Sequence, residues 1–203
     1  MKKPLQTELR ALKKLKTPAR IQDFIDTIPF NFEQSGETCM SPMVVLEKRR
    51  AHCLEGALLA CATLSLLGDS PLLMHLKVSR GDDSHAVALF KRNGYFGAIS
   101  QTNHAVLGYR DPVYKTIREL ALSYFHEYFL YTNGKKTLIA YSQPFSLKKY
   151  LHWETRTDNL WDIADALSCS PHIALVPEKN KNMIRNATLF ERNSLEKTKW
   201  KRA

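Results

Sequence analysis

The chain has 203 residues, of which 44% are hydrophobic and 25% are charged, and its formal net charge is +10. These proportions are typical of one globular domain, and they exclude wholesale disorder and a fibrous structure. The most apolar run, residues 57–67, is too short for a membrane helix, which needs about 20 residues. The basic start of the chain lacks the apolar stretch of a signal peptide, so the sequence predicts a cytoplasmic protein.

The positive charge lies at the two ends of the chain. Residues 1–20 carry seven Lys or Arg against one Glu, and residues 178–203 carry eight against three Glu. Residues 21–177 carry fifteen basic and sixteen acidic side chains. We therefore predict a basic N-terminal segment (1–20), a single domain (21–177) and a basic C-terminal tail (178–203). The ends are expected to be solvated tails, and weak nonspecific contact with polyanions is the alternative.

The first half of the chain is predicted to form helices followed by a small sheet. The segment 53–67 is apolar around most of its circumference, which predicts a central buried helix, and Gly68 ends it. Asn93-Gly94 predicts a tight hairpin turn between two strands of an antiparallel meander. The predicted elements in chain order are helices 5–15 and 18–28, a loop over 31–42, helix 53–67, and strands 72–78, 85–91 and 95–100.

The second half is expected to add helices and short strands without forming a second domain. Asp111-Pro112 predicts the start of a long helix that ends near Phe129. The aromatic run at the end of this helix is expected to be core, with His126 and Glu127 as candidates to line a cleft. The remaining predicted elements are strand 137–141, helix 158–167 and strand 172–176.

The four cysteines carry different expectations. Their spacing matches neither a disulfide framework nor a zinc site, so we expect free thiols and no bound metal. Glycines do not cluster into a phosphate-binding loop, and no cofactor is implied. Cys61 lies in the middle of the predicted central helix and is expected to fill the core. The four positions are Cys39, Cys53, Cys61 and Cys169.

Cys53 differs because it stands at the predicted N-terminus of the central helix. The helix dipole and the free N–H groups there favour a thiolate, and Arg49, Arg50 and His52 add positive potential just before it. His85 begins a strand 32 residues later, after one intervening strand. A cysteine at a helix start facing a histidine on a nearby strand is the usual construction of a thiolate–imidazolium pair.

Three stretches carry a resemblance to a known family. They are RRAHCLEGALLACATLSLLG, PLLMHLKV and DSHAVALFKRNGYFGAIS, and together they resemble the core of transglutaminase-like proteins. The resemblance covers about residues 20–105, with the core at 40–105. It implies an α+β fold with a papain-like core, in which one buried helix carrying the cysteine packs on an antiparallel sheet, with additional C-terminal helices. It also implies that Cys53 is the nucleophile and His85 the base.

The third member of the implied triad departs from the family pattern. The family places an Asp at the end of the third strand, where this sequence has Ser100. Asn103 is the better candidate on chemical grounds, because an amide can fix the imidazole tautomer. Asp83, two residues before His85, is a further candidate, although a turn residue is the simpler interpretation.

The expected activity is that of a cysteine-dependent amide hydrolase or acyltransferase. The substrate would be a peptide or protein amide, with neither cofactor nor metal and no membrane partner. The alternative is a catalytically inactive domain of the same fold that binds a peptide or protein. A third possibility is binding of polyanions through the basic ends, which would weaken steeply with salt.

Overall fold

The computed structural model describes residues 3–199 and has an α+β fold. The described α-helices are α1 (Lys3–Ala11), α2 (Pro18–Asp26), α3 (Pro42–Lys48), α4 (Cys53–Leu66), α5 (Ile117–Leu122), α6 (Trp161–Ser168) and α7 (Leu189–Lys197). The strands are β1 (Leu72–Val78), β2 (His85–Arg92), β3 (Tyr95–Ile99), β4 (Arg110–Tyr114), β5 (Leu138–Ser142), β6 (Phe145–Ser146) and β7 (His172–Ala174). Short 3-10 helices lie at 12–15, 105–107, 125–127 and 178–183.

The seven strands form one antiparallel sheet. Its order is β4-β3-β2-β1-β5-β7, and the short strand β6 also pairs with β1. The predicted meander is confirmed, since β1 pairs with β2 and β2 with β3. Asn93 and Gly94 both have positive φ, at 50° and 88°, as a tight primed turn between twisted strands requires. The local sequence therefore dictates the connection that brings β3 back beside β2.

Helix α4 lies in the main core, as its apolar sequence predicts. Its residues from 55 to 64 are all buried, so it packs on several sides at once. One face of the sheet, including Ala86, Ala88 and Phe90 of β2, joins this core. The alternating residues Val87 and Leu89 join a second core under α5 on the opposite face. The sheet is thus covered on both faces, and the N-terminus of α4 reaches the sheet where β2 begins.

Both basic ends of the described chain pack against the domain. Leu9 of α1 and Leu12 in the following turn are buried in the main core. At the other end, Leu195 of α7 packs with Phe129, and the guanidinium of Arg192 donates to the carbonyl oxygen of Tyr131 at 2.7 Å. The segment that the charge pattern assigns to a tail is therefore seated on the fold up to residue 199. The last four residues, 200–203, lie outside the described part.

The prediction of a long helix from Asp111 to Phe129 is wrong. Residues 110–114 instead form the edge strand β4, which pairs with β3. An edge strand tolerates Pro112, because its missing N–H leaves no gap inside the sheet. The true N-cap is Thr116, whose hydroxyl accepts from the N–H of Glu119 at 3.1 Å, and α5 then ends at Leu122.

Smaller differences concern helix boundaries. The predicted loop 31–42 ends where α3 begins, at Pro42, with Ser41 as the N-cap. Helix α6 starts at Trp161, three residues later than predicted, because Asp158 pairs with Arg156 and does not cap the helix. Within residues 3–199, no helix is both long enough and apolar enough to cross a membrane.

Candidate active site

Cys53 is the first residue of α4, and the backbone around it is fixed by a capping box. The ring of His52, the N-cap residue, faces the N–H of Leu54, with Nδ1 at 3.2 Å from that nitrogen. The carboxylate of Glu55 reaches back and accepts from the N–H of His52 at 2.9 Å. The hydrogen bond from Glu55 satisfies one free N–H group of the helix start, and the position of Cys53 is held by the residues on both sides of it.

The buried carboxylate of Glu55 also fastens the preceding loop to the helix. Its other oxygen accepts from the hydroxyl of Thr38 at 2.7 Å and from the N–H of Met40 at 2.8 Å. These donors supply the hydrogen bonds that a buried carboxylate requires. The carboxylate therefore fixes both the helix start and the loop.

His85 and Ser100 meet at the ends of neighbouring strands. The Nε2 atom of His85 lies 2.7 Å from the hydroxyl oxygen of Ser100, and both residues are buried, at 5% and 1% exposure. The backbone of Ser100 is clamped by the side chain of Gln22, which accepts from its N–H at 2.9 Å and donates to its carbonyl at 2.8 Å. The hydroxyl that touches His85 thus stands on a fixed backbone.

A glycine allows α4 to approach this strand end. A Cβ atom at Gly56 would collide with the side chain of Gln101, the residue after Ser100. Gln101 is itself fixed, because its amide donates to the carbonyl of Ile28 at 2.7 Å. The close contact brings the first turn of α4, and with it Cys53, up to the pair formed by His85 and Ser100.

The thiol of Cys53 is strongly acidified. Burial alone would raise its pKa, but hydrogen bonding to His52 and His85, together with the positive charge of these rings, lowers the pKa to about 5. At neutral pH the sulfur is therefore a thiolate. Since Ser100 occupies Nε2 of His85, Nδ1 is the nitrogen of that ring available to the sulfur.

His52 is the second ring beside the sulfur. Burial opposes its protonation, but the hydrogen bond with Cys53 and the negative charges of Cys53 and Glu55 raise the pKa of His52 to about 9. Its Nε2 atom donates to the carbonyl of Thr38 at 2.8 Å and lies 3.8 Å from a carboxylate oxygen of Glu33. The ring is thus held as a cation, whose charge is compensated by nearby carboxylates and by the thiolate.

The remaining candidates lie nearby, but they do not bond to His85. Asn103 and Asp83 both line the same cleft as Cys53, yet within residues 3–199 neither makes a hydrogen bond to the His85 ring. Arg49 pairs with Glu8 on the surface, and it does not line the cleft. Of the proposed third members, Ser100 is the one that the structure brings into contact with the histidine.

Cys53 opens onto a cleft of about 810 Å³. The C-terminal part of the chain forms one side of it through Leu195 and Lys199. The other lining segments are residues 30–33, 81–85, 102–104 and 127–132, with Leu107 and His52. Of the pair singled out in the aromatic run, Glu127 lines the cleft, whereas His126 is not among its lining residues.

Tyr128 is a cleft residue that the sequence analysis did not identify. Its side chain is only 4% exposed and lines the cleft, and its hydroxyl has no hydrogen-bond partner within residues 3–199. Burial raises the pKa of Tyr128, and the negative charge of Cys53 raises it further, so the phenol stays protonated near the sulfur. In the sequence it is one of several aromatic residues in a row, with no pattern that separates it from the core.

The other three cysteines have no comparable surroundings. Cys39 and Cys61 are buried and Cys169 is exposed, and none of the four is in a disulfide. The thiols of Cys39 and Cys61 face backbone carbonyls, of Leu160 at 3.5 Å and Leu72 at 3.3 Å. Within the described residues no three His, Cys, Asp or Glu side chains are grouped as metal ligands.

Comparison of the chain with known protein families and with curated proteins finds no match.

Proposed function

We propose that this chain is a transglutaminase-like thiol enzyme that attacks an amide or peptide carbonyl through Cys53. The observation that carries the proposal is the contact between three elements: the thiol at the start of α4, the imidazole at the start of β2 and the hydroxyl after β3. The acidified thiol supports it, because a thiolate at neutral pH is the form that attacks a carbonyl. A cysteine kept only for packing has no need of two imidazoles.

The proposed reaction has two steps. The Cys53 thiolate attacks the carbonyl carbon, a C–S bond forms, and the oxyanion faces the N–H groups at the start of α4. The intermediate collapses as protonated His85 gives its proton to the leaving amine and the C–N bond breaks, which leaves a thioester. His85 then takes a proton from water or from an acceptor amine, whose attack on the thioester releases the product and restores the thiolate.

Ser100 would act as a positioning residue in this scheme. Its hydroxyl oxygen can accept the Nε2 proton of His85, which leaves Nδ1 free to exchange a proton with the sulfur and the leaving group. A hydroxyl stabilises the imidazolium less than a carboxylate does, because it carries no charge. His52 supplies a second cation to the thiolate and compensates part of that difference.

A catalytically inactive binding module is the second candidate. The observation that favours it is the hydroxyl of Ser100 in the place of the family's Asp. Such a module would hold a peptide in the same cleft without forming a covalent bond. The two candidates differ in whether Cys53 accepts an acyl group.

The test is acylation by an activated ester. The full chain is mixed with p-nitrophenyl acetate, the release of nitrophenolate is followed, and the protein is analysed by intact mass and peptide mapping. We expect a burst of about one equivalent, with the acetyl group on Cys53. Cys53→Ser should abolish the burst, and Cys61→Ser is the matched control that should retain it. A chain that binds peptides but shows no burst and no acetyl group on Cys53 would favour the binding module.

A further inference from the structure

Carboxylates surround the reactive cysteine, although the protein as a whole is basic. The cleft is lined by four carboxylates, Glu33, Asp82, Asp83 and Glu127, and by one lysine, Lys199, within residues 3–199. The chain as a whole carries 30 Lys and Arg against 20 Asp and Glu. The cationic ring of His52 also lines the cleft, but together with Lys199 it balances only two of the four carboxylates, so the lining is negative whereas the molecule is positive.

Two of these carboxylates have no internal partner. Within residues 3–199, neither Asp83 nor Glu127 forms an ion pair or accepts a hydrogen bond. The carboxylate of Asp82 accepts from the hydroxyl of Thr137 and from the N–H of Asp83, which are both neutral donors, so it has no cationic partner among these contacts. All three carboxylates line the cleft, as His85 does, and Asp82 and Asp83 directly precede the start of β2.

The remaining charges in the cleft are already compensated or lie to one side. Glu33 accepts from the N–H of Thr38 at 2.7 Å and lies 3.8 Å from the cationic ring of His52. The ammonium of Lys199 lies 5.6 Å from the centre of the Tyr131 ring, on the wall formed by the C-terminal segment. Within residues 3–199 neither His52 nor Lys199 forms an ion pair with Asp82, Asp83 or Glu127, and the cation that interacts with Glu127 is Lys136, which does not line the cleft.

A tyrosine hydroxyl in the same cleft also lacks a protein partner. Tyr128 is 96% buried, yet its hydroxyl reaches the cleft and has no hydrogen-bond partner among the described side chains. A hydroxyl that lies on a cleft and has no protein partner is available to donate to an oxygen of a bound ligand. This observation is independent of the carboxylates and points to a ligand in the same space.

We infer that the cleft selects an acyl donor with a basic side chain, Lys or Arg, next to the reactive carbonyl. The inference rests on the proposed function, since it names the substrate class for that site. The ammonium or guanidinium group would lie against Asp82, Asp83 and Glu127, and the Tyr128 hydroxyl would donate to an oxygen of the bound peptide. A cleft with focused negative charge raises the local concentration and the association rate of cationic substrates.

Charged thiol reagents of similar size test the potential at the sulfur without requiring acyl transfer. The cationic reagent is 2-(trimethylammonium)ethyl methanethiosulfonate, and the anionic one is 2-sulfonatoethyl methanethiosulfonate. In each case the thiolate attacks the sulfenyl sulfur, an S–S bond forms and methanesulfinate leaves. The protein carries Cys169→Ser, so that Cys53 is the accessible thiol, and N-acetylcysteinamide is the reference thiol.

At low ionic strength we expect the cationic-to-anionic rate ratio at Cys53 to exceed that of the reference thiol by about tenfold or more, and to fall as salt is added. The double variant Asp83→Asn and Glu127→Gln should lower the ratio severalfold. Glu47→Gln, which removes an exposed carboxylate from α3 outside the cleft, is the matched control and should leave it unchanged. A ratio equal to or below the reference overturns the inference.

Peptides test the same preference with a ligand of the proposed class. Alanine-based peptide amides that carry either Arg or Glu at one position are compared for their protection of Cys53 from iodoacetamide. Selective protection by the Arg peptide, lost in the double variant, supports the inference, whereas equal protection by both peptides contradicts it. A normal ester burst with no charge preference refutes only the substrate class, and a charge preference without a burst refutes only the proposed function.

Discussion

Helix α4 carries two cysteines whose chemistry differs because of where they lie along the helix. Cys53 stands at the N-terminus, between two imidazoles, and its pKa is lowered to about 5. Cys61 lies two turns further on in the apolar core, where burial raises the pKa of its thiol well above the usual value. The two residues are identical and share one helix, so the difference comes from the helix end and from the histidines that other elements bring to it.

The largest expected effect is the difference in alkylation rate between the thiols of Cys53 and Cys61. In a Cys169→Ser background at pH 7, iodoacetamide should modify Cys53 and leave Cys61 and Cys39 unmodified for as long as the protein is folded. The rate at Cys53 should exceed the rates at Cys61 and Cys39 by several orders of magnitude, because reactivity follows the thiolate and the other two thiols are buried. Peptide mapping after graded labelling measures the ratio. Comparable labelling of Cys53 and Cys61 in the folded protein would contradict the proposed site.

The two imidazoles provide the next test, because they are expected to cause the difference in pKa between Cys53 and Cys61. Cys53 should react with an apparent pKa of about 5, and a plateau of reactivity should follow as the pH rises. Removing a cation destabilises the thiolate, so His52→Asn and His85→Ala should each shift the apparent pKa of Cys53 upward by about one unit or more. Asn is itself able to cap a helix, so His52→Asn removes the charge and preserves the start of α4.

The pH dependence of alkylation measures both shifts. His126→Gln, which changes an exposed histidine that does not line the cleft, is the matched control and should leave the pKa of Cys53 unchanged. An unchanged apparent pKa in both His52→Asn and His85→Ala would mean that the helix dipole alone acidifies the thiol.

The His85–Ser100 contact is expected to have a smaller effect. Ser100→Ala removes a hydrogen bond of about 1 to 1.5 kcal/mol, which corresponds to about a tenfold lower rate of acylation by p-nitrophenyl acetate. Asn103→Ala is the comparison, and it should change the rate little, because Asn103 makes no hydrogen bond to the His85 ring. The burst rate constants of the two variants decide between the two residues. A larger loss in Asn103→Ala would restore Asn103 as the positioning residue.

Tyr128→Phe should have the smallest effect on the rate. Loss of one neutral donor to the bound acyl group should slow acylation about two- to tenfold. The urea midpoint should not fall, because the hydroxyl has no partner within the described part of the protein. A lower midpoint with an unchanged acylation rate would show that the hydroxyl serves stability and leave no role for it in the cleft.

The elements around the site could be predicted because their determinants are local. The run of apolar residues after Cys53 defines α4, and Asn93-Gly94 defines the hairpin that returns β3 beside β2. The position of Cys53 at a helix start and of His85 at a strand start followed from these two elements. Local sequence was misleading at Asp111-Pro112, because pairing with β3 outweighs the helix-start pattern there.

The sequence by itself determined that Cys53 stands at the start of a buried helix. It also determined the order of the strands along the chain, including the strand that begins with His85. Only the tertiary structure decided which polar group touches that histidine, because the clamp by Gln22 and the close approach at Gly56 depend on residues far apart in the chain. The same holds for the cleft, whose carboxylates, Tyr128 and C-terminal wall come from separate segments. Their contact is set by long-range packing, which no local periodicity or spacing encodes.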